Sequence, residues 1–246
     1  MRYMLALILL LLTSSMAHAD GQSVTYEING APYEGYFIAA KPDAPFIFLL
    51  HDWDGLTDYE IQRANMLAEL GYTVFAADLY GAGVRPTDPH DKRQHTGELY
   101  KDRHKLRTLM QEALKFAQSK GANIDKAVAV GYCFGGAAVL ELARSAVDLQ
   151  GFVTFHGGLS TPEGQNYSKT KGRLLIMHGS ADTNITMDDF AELANELETF
   201  KIPHEMITYG GAPHAFTVFN SPTYRKDADQ KSWNRFLLFL AEEAFQ

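Results

Sequence analysis

One cysteine stands in this 246-residue chain, at Cys133. An internal disulfide is excluded, and so is a thiolate cluster for zinc or iron–sulfur. Basic charge is short as well: 22 Lys and Arg against 30 Asp and Glu give a formal net charge of −8. That balance argues against nucleic acid and anionic membrane surfaces as partners. The chain has no H-E-x-x-H, and no G-x-G-x-x-G after a strand-like run. Neither a metal nor a dinucleotide is therefore expected, and no other cofactor is implied. No low-complexity tract, block of like charges or fixed-period repeat interrupts the sequence, which argues against solenoids and disordered tails.

Long apolar runs are equally scarce. The opening "MRYMLALILLLLTSSMAHA" has a basic Arg2, an apolar stretch from Leu5 to Leu12, and Ala17-His18-Ala19. These are the n-region, h-region and A-x-A cleavage site of a secretory signal peptide. The apolar stretch is far short of the ~20 residues that a membrane-spanning helix needs. Residues 1–19 are thus expected to be cleaved. The mature protein is then exported, periplasmic or secreted, and free of the membrane. Its net charge becomes one unit more negative, and residues 20–246 form a single domain.

What remains is a regular alternation. "VTYEING" and "GYFIAA" read as an antiparallel hairpin. "PFIFLLHDW", "TVFAADLYG", "KAVAVGY", "GFVTFHG", "RLLIMHG" and "HEMITYG" are apolar runs suited to strands buried on both faces. Helical spacing appears in "YEIQRANMLAELG", in a long helix from about Gly97 to Lys120, and in "GGAAVLELARSA", "MDDFAELANELETF" and "RKDADQKSWNRFLLFLAEEAF". The pattern predicts an α/β fold with a mostly parallel sheet of about eight strands and helices on both faces. Ligands of such sheets sit at the carboxyl ends of the strands, so the polar residues after each strand are the candidates.

The lone cysteine lies at such a place. Gly131-Tyr132-Cys133-Phe134-Gly135 joins a strand to a helix and fits the nucleophile elbow G-x-S-x-G, with cysteine for serine. A helix N-terminus favours the thiolate, whereas an ordinary thiol is only about 3% ionised at pH 7. A nucleophile needs a base, and the base an orienting acid. Asp182 follows the strand in "LLIMHGSADTNI", and His214 follows the last strand in "ITYGGAPHAF". The order Cys133, Asp182, His214 is the nucleophile–acid–histidine order of the α/β-hydrolase fold. His51, His156 and His178 also end strands and are expected to line the pocket. Asp188 suits the first turn of the following helix better. The backbone N–H groups of Phe134 and Trp53 are the expected oxyanion hole.

The stretches "VGYCFGGAA", "LAELGYTVFAADLYG", "HGSAD" and "GAPHAF" resemble the dienelactone hydrolase family, and the likeness runs from about Tyr26 to the closing helix. The resemblance implies hydrolysis of small-molecule esters and lactones through a thioester acyl-enzyme, with Cys133, Asp182 and His214 as the triad. The family carries a carboxylate beside the thiol, often in "HEWWG", which takes the thiol proton as substrate arrives. Here the stretch is "HDWDG", which places Asp52 there, one methylene shorter, with Asp54 nearby as a loop-solvating acid.

Family members that use dienelactone hold its carboxylate with arginines. One is expected a few residues beyond the catalytic histidine, where "HAFTVFN" has Val218 and no arginine before Arg225. The other falls near Arg93 or His95 in "DKRQHTGELY". Neutral esters or lactones are therefore expected to be preferred, unless Arg85 or Arg93 completes the clamp. A monomer or small homo-oligomer is expected. The residues leave open acyl transfer or peptide cleavage at the same site, and a non-catalytic binding module on this fold.

Overall fold

The computed structural model describes residues 21–242. The signal peptide read at residues 1–19 lies outside the described residues. Strands β1 (Gln22–Ile28) and β2 (Ala31–Ile38) form the hairpin. Its turn is Asn29-Gly30, both at positive φ, the geometry that matches the twist of the flanking strands. The chain continues through β3 (Pro45–Leu50), α1 (Asp58–Ala68), β4 (Thr73–Ala77), α2 (Pro89–Lys101), α3 (Arg103–Ser119), β5 (Asn123–Tyr132) and α4 (Phe134–Arg144). It closes with β6 (Gly151–Phe155), β7 (Arg173–Gly179), α5 (Met187–Thr199), β8 (His204–Tyr209) and α6 (Lys226–Glu242).

All eight strands join one sheet in the order β1-β2-β4-β3-β5-β6-β7-β8. The pairs β1–β2 and β2–β4 are antiparallel, and the rest are parallel. Side chains alternate across the sheet, so each central strand feeds two cores. Phe46, Phe48, Leu50 and Phe75 face one core, with Leu106, Met110 and Leu142 from α3 and α4. Ile47, Leu49, Val74 and Ala76 face the other, with Leu67 of α1 and Phe236 and Leu240 of α6. Both faces are covered, as the continuous apolar runs require.

Two sequence expectations are corrected. The helix expected from Gly97 to Lys120 is two helices, and the first begins eight residues earlier, at Pro89. Asp88 caps α2 through its bond from His90 N, and Pro89 takes the first turn, where a missing N–H costs nothing. Asp102 separates the pair: its side chain accepts from Lys105 N at 2.8 Å and starts α3. A local side-chain bond here outcompetes helix continuation. The run "PFIFLLHDW" stops being strand at Leu50. His51 turns its ring to bond Leu79 N and Asp52 O instead. Among the described residues, no helix is long and apolar enough to cross a membrane.

A buried arginine braces the carboxyl ends of the strands. Arg63 on α1 donates to Thr217 O at 2.9 Å and pairs with Asp229 of α6. The rings of Tyr59, Tyr132, Phe219 and Trp233 surround its guanidinium, the nearest centroid at 4.2 Å. One side chain thus ties α1 to the elbow, to the segment after His214 and to the closing helix. A buried pair with additional hydrogen bonds holds geometry even where its net contribution to stability is small.

Candidate active site

Cys133 sits between β5 and α4 at φ +50 and ψ −111, a left-handed conformation that costs a non-glycine residue roughly 1–3 kcal/mol. Its N–H donates to Phe155 O at 3.0 Å, which ties the turn to β6. The flanking glycines are steric necessities. A Cβ on Gly131 would lie 2.2 Å from Gly135, and one on Gly135 would lie 2.4 Å from Leu50 O. The turn lifts the thiol above the sheet at the start of α4, beside the unpaired first-turn N–H groups. Phe134 is the first residue of that helix.

His214 Nε2 lies 3.1 Å from Cys133 Sγ, and its Nδ1 lies 2.7 Å from Asp182 Oδ2. The three sequence candidates thus form one continuous chain of contacts. Asp182 is held in turn by Asn184 N at 2.9 Å and Ile185 N at 3.0 Å, both donating to Oδ1. Burial pushes the Asp182 carboxyl up, but the His214 bond and these backbone donors outweigh it and hold it below its usual range. Burial likewise pushes the His214 imidazolium down. The bonds to Asp182 and Cys133 outweigh that and raise it to about 10.

A histidine raised on folding binds its proton more tightly in the folded state. Its stabilising contribution is full below its ordinary pKa of 6.5 and is lost as pH rises through about 10. The Tm advantage of wild type over His214→Gln should therefore be largest near pH 6 and shrink toward pH 10. An advantage that grows with pH contradicts the assignment.

The other strand-ending histidines are engaged or enclosed. His51 is fully buried; its Nε2 accepts from Leu79 N at 3.0 Å and its Nδ1 donates to Asp52 O at 2.6 Å. Burial holds its pKa down. His156 is buried at positive φ, contacts Thr217 Oγ1 at 2.8 Å, and packs edge-on against His214 at 5.4 Å. His178 is buried and stacks on Phe190. Asp188 lies in the first turn of α5, as read.

The loop from His51 to Thr57 forms the opposite wall. Asp52 is buried, and its Oδ1 accepts from Asp54 N at 2.8 Å. Burial raises its pKa to about 6, against the opposing pull of Lys92 and His214. Beneath it, the buried Glu60 of α1 accepts from Asp52 N at 3.2 Å and Thr57 N at 2.9 Å, pinning both ends of the loop. Burial and the charge of Asp52 push Glu60 up to about 8. Trp53 accepts at its carbonyl from Tyr80 OH at 3.3 Å.

The remaining candidates divide. His95 stacks on Tyr80 at 5.1 Å, and Tyr80 packs against Phe134, so His95 borders the site. Arg93 is exposed. Arg85 is occupied by Leu56 O, Val84 O and Glu34. Asp54 does more than solvate its loop: it pairs with Lys92 at 2.6 Å. Lys92, Tyr100 and Glu60 are site residues that the sequence reading did not reach. A helix begun at Pro89 would have put Lys92, His95, Thr96, Leu99 and Tyr100 on one face by their spacing. Thr57-x-x-Glu60 is a capping box, a visible signal for a residue at a loop's end.

The sequence profile of the dienelactone hydrolase family matches residues 34–244. A Saccharolobus solfataricus protein, provisionally named a carboxymethylenebutenolidase, is 24% identical over 255 residues, covering 89% of this chain and 97% of its own. The crystal structure of P91, a dienelactone hydrolase-like promiscuous phosphotriesterase from metagenomic libraries, is 28% identical with a TM-score of 0.82. It covers 91% of this chain and 98% of its own. A solved structure named m3DLH is also 28% identical, with a TM-score of 0.85 over 92% of this chain and 99% of that one. With the elbow, the sheet order and a profile match over most of its length, the chain belongs to the dienelactone hydrolase family.

Proposed function

We propose that the chain hydrolyses carboxylic esters and lactones, with Cys133 as nucleophile, His214 as proton carrier and Asp182 as its orienting acid. The observation that carries this reading is the unbroken line of contacts at 2.7 and 3.1 Å from Asp182 through His214 to Cys133 at the elbow. The names of the family and of its relatives support the substrate class.

The raised pKa of His214 keeps a proton on its Nε2, 3.1 Å from the attacking Sγ. Sγ forms a bond to the carbonyl carbon, and the C=O electrons move onto oxygen. The N–H groups of Phe134 and Trp53 hold that oxyanion. Collapse expels the alkoxide, which takes the proton from His214 Nε2 and leaves a thioester. His214, now neutral, removes a proton from water as the water attacks. The acid departs, and Cys133 and His214 return to their starting state. Asp182 keeps Nδ1–H oriented throughout. Because the thiol already faces His214, Asp52 acts here through its charge rather than as the first acceptor of the thiol proton.

The test is a panel of esters and lactones of differing acyl size. Hydrolysis of several is expected, and none being cleaved overturns the reading. An added alcohol or amine in place of water would reveal acyl transfer in the products. We also propose export through residues 1–19, which N-terminal sequencing of the periplasmic or secreted protein tests.

Charge narrows the substrate. Above about pH 6, Asp52 adds a negative charge beside Lys92, whose ammonium is already paired with Asp54. Arg85 is tied elsewhere, and Val218 stands where an arginine would help. At pH 8, para-nitrophenyl butyrate should exceed para-nitrophenyl hydrogen succinate in kcat/KM by roughly tenfold or more, a like-charge difference of about 1.4 kcal/mol. The anionic dienelactone should likewise be a poor substrate. A clear advantage for either anion contradicts the charge argument.

A further inference from the structure

We infer that Asp54 determines substrate charge preference by occupying Lys92, the cation that α2 presents to the site. The inference rests on the reading of the chain as an ester and lactone hydrolase, and it names the residue that keeps anionic acyl groups out.

The face of α2 that carries Lys92 also carries residues packed around Phe134, the neighbour of the nucleophile. Leu99 on that face is buried. Tyr100 packs edge-on against Phe134 at 5.4 Å, and His95 reaches Phe134 through Tyr80. Phe134 directly follows Cys133 in sequence. Lys92 lies one turn before His95, with a side chain only 14% exposed. Its Nζ is 5.1 Å from the centre of the Trp53 ring, on the loop that carries Asp52 and Asp54. Lys92 and His214 both act on the charge of Asp52, so ammonium, imidazole and carboxylate share one electrostatic field. Arg93, turned about 100° around the helix, faces solvent instead.

Lys92 is therefore placed to meet the far end of an acyl chain, yet Asp54 Oδ1 already holds it at 2.6 Å. An incoming carboxylate must displace Asp54 and then face Asp52 with no charge gained. A neutral acyl group meets neither obstacle. Asparagine at position 54 keeps the size of the side chain and removes its charge, which releases the ammonium. An exposed ion pair serving only the loop would leave substrate choice untouched.

The experiment measures one ratio, kcat/KM for para-nitrophenyl hydrogen succinate over that for para-nitrophenyl butyrate, at pH 8. The two share a leaving group and an acyl length, so the ratio isolates terminal charge. Asp54→Asn should raise the ratio about tenfold, and high salt should erase most of the gain. Lys92→Met should lower it severalfold below wild type. The double variant, with the wild-type net charge restored, should return near the wild-type ratio. Active enzyme with an unchanged ratio in Asp54→Asn, or a gain that survives Lys92→Met, overturns the inference and leaves the hydrolase reading standing. If wild type cleaves neither ester, the hydrolase reading falls and the inference with it.

Discussion

Cys133→Ala is expected to lose on the order of 10⁴–10⁶-fold in kcat/KM for any ester the wild type cleaves, because it removes the attacking atom and leaves only binding and the oxyanion donors. The variant should stay folded. Alanine occupies the same strained φ of +50, and the turn is held by Cys133 N to Phe155 O and by the glycines, not by the sulfur. Native iodoacetamide should label this thiol, which is partly exposed and lies beside His214 at 3.1 Å. Since it is the chain's single cysteine, one label per chain should abolish hydrolysis. Full rate in Cys133→Ala, or a native thiol that resists alkylation, contradicts the mechanism.

His214→Ala comes next, with an expected loss of about 10²–10⁴ in kcat. The three other strand-ending histidines are not placed to substitute. His51 has both ring nitrogens bonded, His156 is bound to Thr217, and His178 is enclosed against Phe190. The loss in kcat/KM should be steeper for an ethyl ester than for a para-nitrophenyl ester, since ethoxide needs a proton to leave and nitrophenolate does not. That contrast reads the general-acid role directly, and a merely structural histidine would not produce it. A larger loss at His178 than at His214 would reassign the base.

The three residues proposed as a triad were legible because the signal for each is local. The elbow is a five-residue pattern, and Asp182 and His214 each directly follow a recognisable apolar strand. The five central strands were legible for the same reason, since burial on both faces writes a continuous apolar run; β1 and β2 showed instead as an alternating hairpin, and β8, expected to be buried on both faces, lies at the sheet edge and is mostly half-buried. Chain order could place Cys133 and His214 at one end of the sheet, but it could not give their separation of 3.1 Å across 81 positions.

What the sequence hid depended on one side chain choosing between two roles. Asp102 can solvate a helix surface or cap a new helix, and its bond from Lys105 N takes the second course. Reading one helix from Gly97 cut Lys92 out of the helical stripe, so the site's cation passed unseen and Asp54 looked like a loop acid. Arg63 was hidden for a different reason: its partners come from α1, the elbow, the segment after His214 and α6, and no local pattern joins them. The exposure of Arg93 was equally a matter of helix phase.

The central claim is that Cys133 carries the acyl group. Acid quenching during steady turnover of a slowly released ester, followed by intact mass and peptide mapping, tests it most directly. The account predicts a mass gain equal to the acyl group, on the peptide containing Cys133, discharged by neutral hydroxylamine and absent from Cys133→Ala. Turnover at full rate with the acyl group on another residue, or with no covalent intermediate under conditions that trap one in a known thioester enzyme, would contradict it.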